Sequence, residues 1–321
     1  MMIYNTSQLN TGIGVYAYNL SRGLGIKLSN DFLSSKHYYI DYFKRSLFRK
    51  KVYDIVINSS IFSNYYLGKR NIFVIHDFFY KDYSDYMPKF SKFMFDYGLF
   101  LAKMNSDKFV CVSNYTYKRA LRELKNLEMI YPFVDQRFNY NGYKRKDKIV
   151  LLMDASNFKN KRPESYQKFY DYIFKNYFGL LEFTYRFIKL GYPLKLYFYD
   201  KWSRNYRNID FEFLIRLYRN SNVFLSFSEN EGFGYPLVQS VLSGNSVVVA
   251  ENETYKELLG NDFRYYIRDI NDFDSIQDLI FQSLDDNEMR KSIYDRISML
   301  IDPLSLKKQW EYLFDELEVK L

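Results

Sequence analysis

The 321-residue chain has little cysteine and histidine, and each shortage excludes a class of site. Its single cysteine, Cys111, cannot form an intramolecular disulfide, and the apolar run 109–112 around it predicts a buried, inert thiol. One cysteine and two histidines also leave no cluster with the spacing of a structural zinc site. This composition fits a reducing, cytoplasmic setting.

Long hydrophobic runs are missing as well. Residues 1–7 have neither a basic segment nor an apolar core of the kind that signal peptides carry. No apolar stretch approaches the ~20 residues that cross a bilayer as a helix. We therefore expect neither a secreted nor a transmembrane protein.

Basic residues are in excess: 46 Lys and Arg stand against 38 Asp and Glu, for a formal charge of +8. The excess favours an acidic partner such as a phosphate compound, an anionic membrane surface or a nucleic acid. Residues 36–51 mix bases with aromatic residues, which suits a peripheral membrane contact or an RNA surface, although a solvated helix face is an equal alternative. The sequence contains no recognised RNA- or DNA-binding motif, so we expect no nucleic-acid partner.

Alternating short apolar runs and helical patterns predict two doubly wound α/β domains in tandem. The candidate strands are 54–58, 72–75 and 108–113 in the first half and 149–153, 194–199, 223–227 and 246–250 in the second. The polar, basic stretch 134–148 between the two halves is the predicted linker.

Two helices are predicted from apolar residues at steps of three and four. One delivers the chain to the strand at 108, and its stripe is interpreted as core: Phe90, Phe93, Met94, Tyr97, Leu101 and Met104. The other covers 304–321 and carries Leu306, Trp310, Leu313, Phe314 and Leu317.

The stretch SENEGFGYPLVQS, residues 228–240, joins a predicted strand to a predicted helix through a turn with two glycines. Gly232 and Gly234 allow backbone amides and the positive end of the helix to approach a ligand closely. Glu231 would accept hydrogen bonds from hydroxyls. The turn lacks the third glycine of a dinucleotide fingerprint and carries acids, which indicates a polyhydroxylated ligand.

The same turn resembles that of the retaining family 4 glycosyltransferases of GT-B fold, the glycosyl transferases group 1. That family carries Glu-Gly-Phe-Gly-x-Pro-Leu-Val-Glu, and this chain has Glu231-Gly-Phe-Gly-Tyr-Pro-Leu-Val-Gln239. Further similarities follow in collinear order along most of the chain: Thr11-Gly-Ile-Gly14, Val74-Ile-His-Asp77, Val112-Ser-Asn-Tyr-Thr116, Tyr131-Pro-Phe-Val-Asp135, Lys161-Arg-Pro-Glu164, Gly244-Asn-Ser-Val-Val248, and Tyr255, Glu257 and Gly260.

The resemblance implies two Rossmann-like domains that face each other across a cleft. The N-terminal, acceptor-side domain would be 1–143, completed by a C-terminal helix at 304–321 that crosses back to it. The C-terminal domain, 144–303, would bind the nucleotide sugar.

The resemblance also implies transfer of a sugar from a nucleotide-diphosphate sugar to an unidentified glycan, lipid or protein, with retention of configuration and without metal or cofactor. Glu231 would hold sugar hydroxyls, His76 would contact the transferred sugar, and Lys161 would face the leaving diphosphate. The remaining donor-binding residues would be Gly12, Gly14, Lys159, Arg162, Phe233, Gly234, Leu237, Val238 and Gln239.

Two positions depart from the family pattern. Gln239 replaces the second glutamate, which in the family accepts hydrogen bonds from the ribose. The family's phosphate-binding arginine is absent from 154–157, so Lys159 or Arg162 would replace it. The alternatives to a glycosyltransferase are a weakly active or inactive nucleotide-sugar-binding protein of the same fold and a nucleotide-sugar epimerase. Asp272 and Asp274 are interpreted as helix capping rather than a metal site.

Overall fold

A computed structural model describes residues 1–9, 11–31, 38–47, 50–63, 66–139, 149–154, 159–177, 186–190, 203–206 and 210–317. The chain forms two compact units, Met1–Val134 with Ile301–Leu321, and Asp135–Leu300. The division falls earlier than the expected 143/144 because residues 136–138 pack into the second unit, where the buried ring of Phe138 contacts that of Tyr218 at 5.4 Å. The predicted linker residues 140–148 lie outside the described residues.

The N-terminal unit is a parallel sheet with helices. Its strands are β1 (Met2–Asn5), β2 (Leu28–Asn30), β3 (Lys50–Asn58), β4 (Tyr66–Ile75), β5 (Lys108–Cys111) and β6 (Leu127–Met129). Its helices are α1 (Gly12–Leu24), α2 (Tyr38–Leu47), α3 (Phe79–Asp82), α4 (Lys89–Asn105) and α5 (Asn114–Ala120). The strand order is β2-β1-β3-β4-β5-β6, so the order reverses between β1 and β3.

Such a reversal opens a crevice at the carboxyl ends of the two strands concerned, which is where open α/β sheets bind ligands. Ile3 pairs with Ile57 across β1 and β3, and both side chains are fully buried. The strands are apolar because helices cover both faces of a parallel sheet. Polar residues begin at the strand ends, at Asn5 and Asn58.

Cys111 ends β5 in the core of this unit. Its thiol is buried, and burial raises the pKa of Cys111 to about 12. The predicted burial of this thiol is confirmed, and a thiol that stays protonated is a poor nucleophile.

The last helix of the N-terminal unit comes from the end of the chain. It is α12 (Pro303–Glu316), numbered in chain order after the helices of the C-terminal unit. Trp310 is almost fully buried, and the Nζ of Lys108 on β5 donates to Oε1 of Glu316 at 2.7 Å. The prediction that the C-terminal helix returns to the first domain is confirmed.

The prediction that the apolar stripe of α4 lies in the core is wrong for half of the six residues in that stripe. Met94 and Leu101 are buried, but Phe90, Phe93 and Met104 are 56%, 59% and 69% exposed. Steps of three and four residues span more than one face of a helix when the stripe is wide. The sequence pattern therefore found the helix but not the side that faces the sheet.

The C-terminal unit repeats the architecture. Its strands are β7 (Val150–Asp154), β8 (Arg186–Leu190), β9 (Ser203–Tyr206), β10 (Val223–Ser226), β11 (Ser246–Ala250) and β12 (Tyr266–Ile267). Its helices are α6 (Pro163–Tyr177), α7 (Phe211–Asn220), α8 (Tyr235–Leu242), α9 (Glu253–Leu259), α10 (Phe273–Asp285) and α11 (Asn287–Leu300). The order β12-β11-β10-β7-β8-β9 reverses between β7 and β10.

Most predicted elements of this unit are present. Strands β7, β10 and β11 match the predictions, whereas the candidate strand 194–199 lies outside the described residues. Asp272 caps α10, with its Oδ1 accepting from the amide of Ser275 at 3.1 Å, so the capping interpretation is confirmed. No described helix is long and apolar enough to span a bilayer.

Trp310 and Tyr312, one buried and one exposed, provide a test of the role of α12 in the N-terminal unit. We expect Trp310→Ala to lower the free energy of unfolding by about 3–5 kcal/mol, because it leaves a cavity in a packed core. The matched change Tyr312→Ala, at a side chain that is 72% exposed, should alter it by less than about 0.5 kcal/mol. Guanidinium denaturation followed by circular dichroism measures both, and equal effects would contradict the packing of α12.

Candidate active site

The candidate site lies in the turn between β10 and α8, at the reversal point of the C-terminal sheet. Gly234 ends the turn with φ 83°, in the left-handed region that favours glycine. A Cβ on Gly234 would lie 3.2 Å from Cε1 of Tyr255. Glycine is therefore required here for both conformation and space.

Glu231 is held within this turn by three other residues. Its carboxylate Oε1 accepts from the Nζ of Lys161 in an ion pair and from the hydroxyl of Tyr255 at 3.3 Å. The backbone carbonyl of Glu231 accepts from Oγ1 of Thr254 at 2.6 Å. Its second carboxylate oxygen, Oε2, has no hydrogen-bond partner among the described residues, which leaves an oriented acceptor for a ligand.

The segment 159–162, between β7 and α6, docks onto the turn through its backbone as well as its charges. The amide of Glu229 donates to the carbonyl of Asn160 at 2.7 Å, and Nδ2 of Asn160 donates to the carbonyl of Asn230 at 3.0 Å. These bonds fix the position of the 159–162 segment relative to the turn, and they thereby position the Lys161 side chain. The pair Lys161–Glu231 therefore rests on a backbone connection between the two switch-point loops.

Arg162 and Lys159 lie beside Lys161 but do not pair with Glu231 in the described contacts. Arg162 has φ 47°, a left-handed conformation that costs a residue with a side chain about 1–2 kcal/mol, and Pro163 after it disfavours the ordinary helical alternative. Its guanidinium lies 3.6 Å from the carboxylate of Glu229. Lys159 is exposed at the start of the segment. Three cationic side chains thus occupy four consecutive positions beside the acidic turn.

Tyr255 holds Glu231 in place through a hydrogen bond to its carboxylate. Its side chain is almost fully buried, and burial is the first cause that raises its pKa well above the ordinary value, followed by the charge of Glu231. The phenol therefore stays protonated and can donate to Glu231. Its oxygen also lies 2.9 Å from Oγ of Ser226 at the end of β10.

Tyr255 and Thr254 were not predicted as site residues. They lie in the first turn of α9, which Asn252 caps by accepting from the amide of Tyr255 at 2.9 Å. The available signal was positional: these polar residues directly follow β11, the strand that pairs with β10. Strand ends at one edge of a parallel sheet meet, so residues after β11 reach the turn after β10.

The other predicted donor-binding residues of this unit lie at the start of α8. The side chains of Phe233, Leu237 and Val238 are buried, so only their backbone groups can contact a ligand. Gln239 is 4% exposed, and its side chain has no hydrogen-bond partner within the described ranges. The positive end of the α8 dipole points at the turn that carries Glu231.

The predicted residues of the N-terminal unit gather at the carboxyl edge of its own sheet. Thr11 caps α1, with Oγ1 accepting from the amide of Gly14 at 3.2 Å. A Cβ on Gly14 would meet the carbonyl oxygen of Gln8 at 2.0 Å, whereas a Cβ on Gly12 would have nothing within 4 Å. Gly14 is thus required for packing of the loop before α1, and Gly12 is the position where the backbone is open to approach.

His76 follows β4 and is held by two contacts. Its Nε2 lies 2.7 Å from the carbonyl of Ser59, and its ring meets that of Tyr16 edge-on at 4.9 Å between centroids. Burial lowers the pKa of His76 from 6.5 to about 4, although the bond to Ser59 opposes the shift. At neutral pH the ring is therefore uncharged, Nε2 donates to the carbonyl, and Nδ1 keeps a lone pair for a hydroxyl.

Asp77, beside His76, has a local role. Its Oδ1 accepts from the amide of Phe79 at 3.1 Å at the start of α3. Within the described part of the chain, no three His, Cys, Asp or Glu side chains group in a way that could hold a metal ion.

Comparisons with solved structures identify the architecture as the GT-B fold. HepE of Anabaena, solved with UDP-glucose, aligns over 98% of this chain and 99% of its own, with a TM-score of 0.68 at 11% identity. An E. coli structure described as trehalose-6-phosphate bound with UDP-2-fluoro glucose aligns over 100% of this chain and 99% of its own, with a TM-score of 0.65 at 10% identity. The predicted fold class is confirmed.

The family comparison is narrower and falls on the candidate site. Residues 206–297 match the family model of glycosyl transferases group 1, which confirms the resemblance for the part of the chain that carries Glu231, Gln239 and Tyr255. A cap-specific mRNA (nucleoside-2'-O-)-methyltransferase of fowlpox virus is 28% identical over 103 residues, which is 31% of this chain and 32% of that protein. The aligned part thus spans about a third of that relative's length.

The lowered pKa of His76, whose ring is partly buried, predicts a pH dependence of stability. Between pH 6.5 and about 4 the unfolded chain binds a proton at His76 that the folded chain does not. Stability from this group is therefore complete above pH 6.5 and falls as the pH drops towards 4. Urea denaturation across this range should show a smaller fall for His76→Gln, and a His76 ring that titrates near 6.5 by NMR would contradict its burial.

Proposed function

We propose that this protein is a retaining glycosyltransferase that moves a sugar from a nucleotide-diphosphate sugar to an acceptor. The observation that carries the proposal is the geometry of Glu231. It lies at the switch point of the C-terminal sheet, fixed by Lys161 and Tyr255, with one carboxylate oxygen left for a ligand. The segment that carries it matches the glycosyl transferases group 1 family.

The donor is the first substrate to consider. HepE, which shares the fold, was solved with UDP-glucose, so UDP-glucose is the probe with which to begin. In this proposal Glu231 accepts hydrogen bonds from sugar hydroxyls through Oε2, and the first turn of α8 offers its amides to the donor. Lys161, with Lys159 and Arg162 beside it, faces the diphosphate.

The chemistry needs stabilisation of the leaving group more than a strong base. The acceptor hydroxyl oxygen bonds to the anomeric carbon while the bond from that carbon to the diphosphate oxygen breaks. The electron pair leaves with the diphosphate, and the departing diphosphate oxygen, on the same face of the sugar, takes up the proton of the acceptor hydroxyl. Fixed cations and helix-end amides stabilise that developing charge, so the reaction is proposed to need no metal ion or cofactor.

A diphosphate that reaches Lys161 competes with Glu231 for the same ammonium group. On binding, Lys161 would then turn from Glu231 towards the diphosphate, and Tyr255 would still donate to Glu231. Within the N-terminal unit, neutral Nδ1 of His76 is proposed to accept from a sugar hydroxyl, and the amides around Gly12 are proposed to contact a ligand.

Several finer expectations stay predictions. The acceptor class is a glycan, lipid or protein, and the cytoplasmic location follows from composition alone. A peripheral membrane contact at residues 36–51 also stays a prediction.

The role of Glu231 can be tested with an isosteric change. Glu231→Gln keeps the size of the side chain and removes the charge, so Lys161 loses its partner and the sugar hydroxyls lose a charged acceptor. We expect affinity for UDP-glucose to fall about 10- to 100-fold, as for the loss of one or two charge-assisted hydrogen bonds. Titration calorimetry measures the affinity, and product NMR measures transfer or slow donor hydrolysis.

Glu253→Gln is the matched control, because Glu253 is an exposed carboxylate on α9 and has no place in the proposed site. Unchanged turnover in Glu231→Gln would contradict the site assignment. Donor binding by the unaltered protein without transfer or even slow hydrolysis would favour the alternative of an inactive nucleotide-sugar-binding protein. A β-configured first product from an α-donor would exclude retention, and loss of activity in EDTA would exclude metal independence.

The substitution at position 239 gives a second prediction. If this position faces the ribose, Gln239→Glu restores a charged acceptor, which we expect to tighten donor binding by up to about tenfold. Gln282→Glu, an exposed change on α10, controls for the added charge. Equal calorimetric affinities for Gln239→Glu and the unaltered protein would show that Gln239 does not contact the donor.

A further inference from the structure

The solvent side of α4 carries several large apolar side chains that are substantially exposed. Phe90, Phe93, Phe100 and Met104 are each more than half exposed. The opposite side of the helix is anchored, because Met94 packs with Leu101 in the core of the N-terminal unit. The exposed rings are therefore held in place by a well-packed helix rather than by a loose one.

The exposed half of α4 is itself divided in two. At about 100° per residue, positions 90, 93, 97, 100 and 104 follow one strip along the helix, and all five are aromatic or methionine. Positions 89, 92, 96 and 103 form the next strip, which holds three lysines and Asp96. An apolar strip bordered by a basic strip is the pattern of helices that lie in a membrane interface.

Helix α2 extends the same surface. The ring of Phe43 meets that of Tyr97 at 5.6 Å, and Oγ of Ser46 lies 3.1 Å from the hydroxyl of Tyr97. Ile40, Phe43 and Leu47, at steps of three and four, are 49%, 42% and 60% exposed, with Lys44 exposed among them. We name the α2–α4 face as these residues: Ile40, Phe43, Lys44, Leu47, Lys89, Phe90, Lys92, Phe93, Phe100, Lys103 and Met104.

Concentration of exposed apolar residues on one face indicates a binding surface. Seven of the large apolar side chains that are exposed in the described part of the chain lie on α2 and α4, on adjoining strips of the two helices. Single exposed apolar residues need no explanation, whereas contiguous patches mark interaction sites. Tyr42, buried against Phe62 with ring centroids 5.1 Å apart, fixes α2 in this position.

We propose that the α2–α4 face docks on the surface of an anionic lipid bilayer, with its aromatic strip at the acyl boundary and its lysines among the headgroups. Charge complementarity selects this occupant. Lys44, Lys89, Lys92 and Lys103 outnumber the acids Asp41 and Asp96 of the same two helices. Glu123 lies 3.8 Å from the Nζ of Lys103 and offsets part of its charge, but the remaining excess of lysines still attracts negative charge. A second copy of the chain, with a formal charge of +8, would bring its own lysines against them.

The inference extends the expectation for residues 36–51 to α4, whose exposed side the sequence pattern had assigned to the core. It does not depend on the glycosyl-transfer proposal, because the face contains none of the site residues. Vesicle binding requires no donor, so failure of one proposal leaves the other standing.

The test is co-sedimentation of the full chain with vesicles of phosphatidylcholine alone or with one third phosphatidylglycerol. We expect binding to the anionic vesicles that weakens as salt is added. The double variant Phe93→Ser/Phe100→Ser should lower the partition coefficient about tenfold or more by removing buried apolar area. Lys89→Glu/Lys103→Glu should lower it by a similar factor through repulsion of the headgroups.

Each pair has a matched control elsewhere on the surface. Met299→Ser/Leu304→Ser removes two apolar side chains that are 73% and 72% exposed, and Lys118→Glu/Lys125→Glu makes the same change in net charge. Both controls should leave vesicle binding nearly unchanged, since surface charges beyond about 8–10 Å are screened. Thermal melting by circular dichroism confirms that all four variants fold.

Three results would overturn the proposal. The first is that the unaltered protein does not sediment with anionic vesicles, and the second is that the targeted pairs and their controls bind equally well. Sedimentation velocity without lipid could instead show a dimer that Phe93→Ser/Phe100→Ser abolishes, which would assign the face to a second copy of the chain.

Discussion

The ion pair between Lys161 and Glu231 is the interaction on which the candidate site depends. Both side chains are largely removed from solvent, so the cost of desolvating them offsets much of their attraction. The pair therefore orients groups more than it stabilises the fold. It joins the loop after β7 to the loop after β10. The hydrogen bonds of Asn160, one through its backbone carbonyl and one through its side-chain amide, also connect those loops and do not involve the ion pair.

In both units the reversal of the strand order decides where the polar residues collect, but the residues collected there differ in chemistry. Each sheet reverses its strand order next to the first strand of the unit, and the polar residues collect beyond the carboxyl ends at that reversal. In the C-terminal unit the result is a charged arrangement built on Glu231. In the N-terminal unit the candidate groups themselves are uncharged, because burial keeps His76 neutral and the start of α1 offers backbone groups near Gly12.

Sequence reasoning succeeded where the information was local. The order Glu231-Gly-Phe-Gly234 followed by an apolar helix identified the turn, because glycine permits the backbone conformations that tight turns require. It failed where the answer depended on a neighbour distant in sequence. Tyr255 donates to Glu231 from another helix, and only the pairing of β11 with β10 brings the two together.

The sequence by itself determined the alternation of strands and helices, the glycine turn and the residue types of the site, because periodicity and backbone constraints act within a few residues. Tertiary structure decided which face of each element is covered. Phe93 and Met94 are neighbours of similar hydrophobicity, yet Met94 is buried and Phe93 is exposed. The difference arises because a helix meets the sheet along one side only, and that side is set by packing against strands and helices far away in the chain.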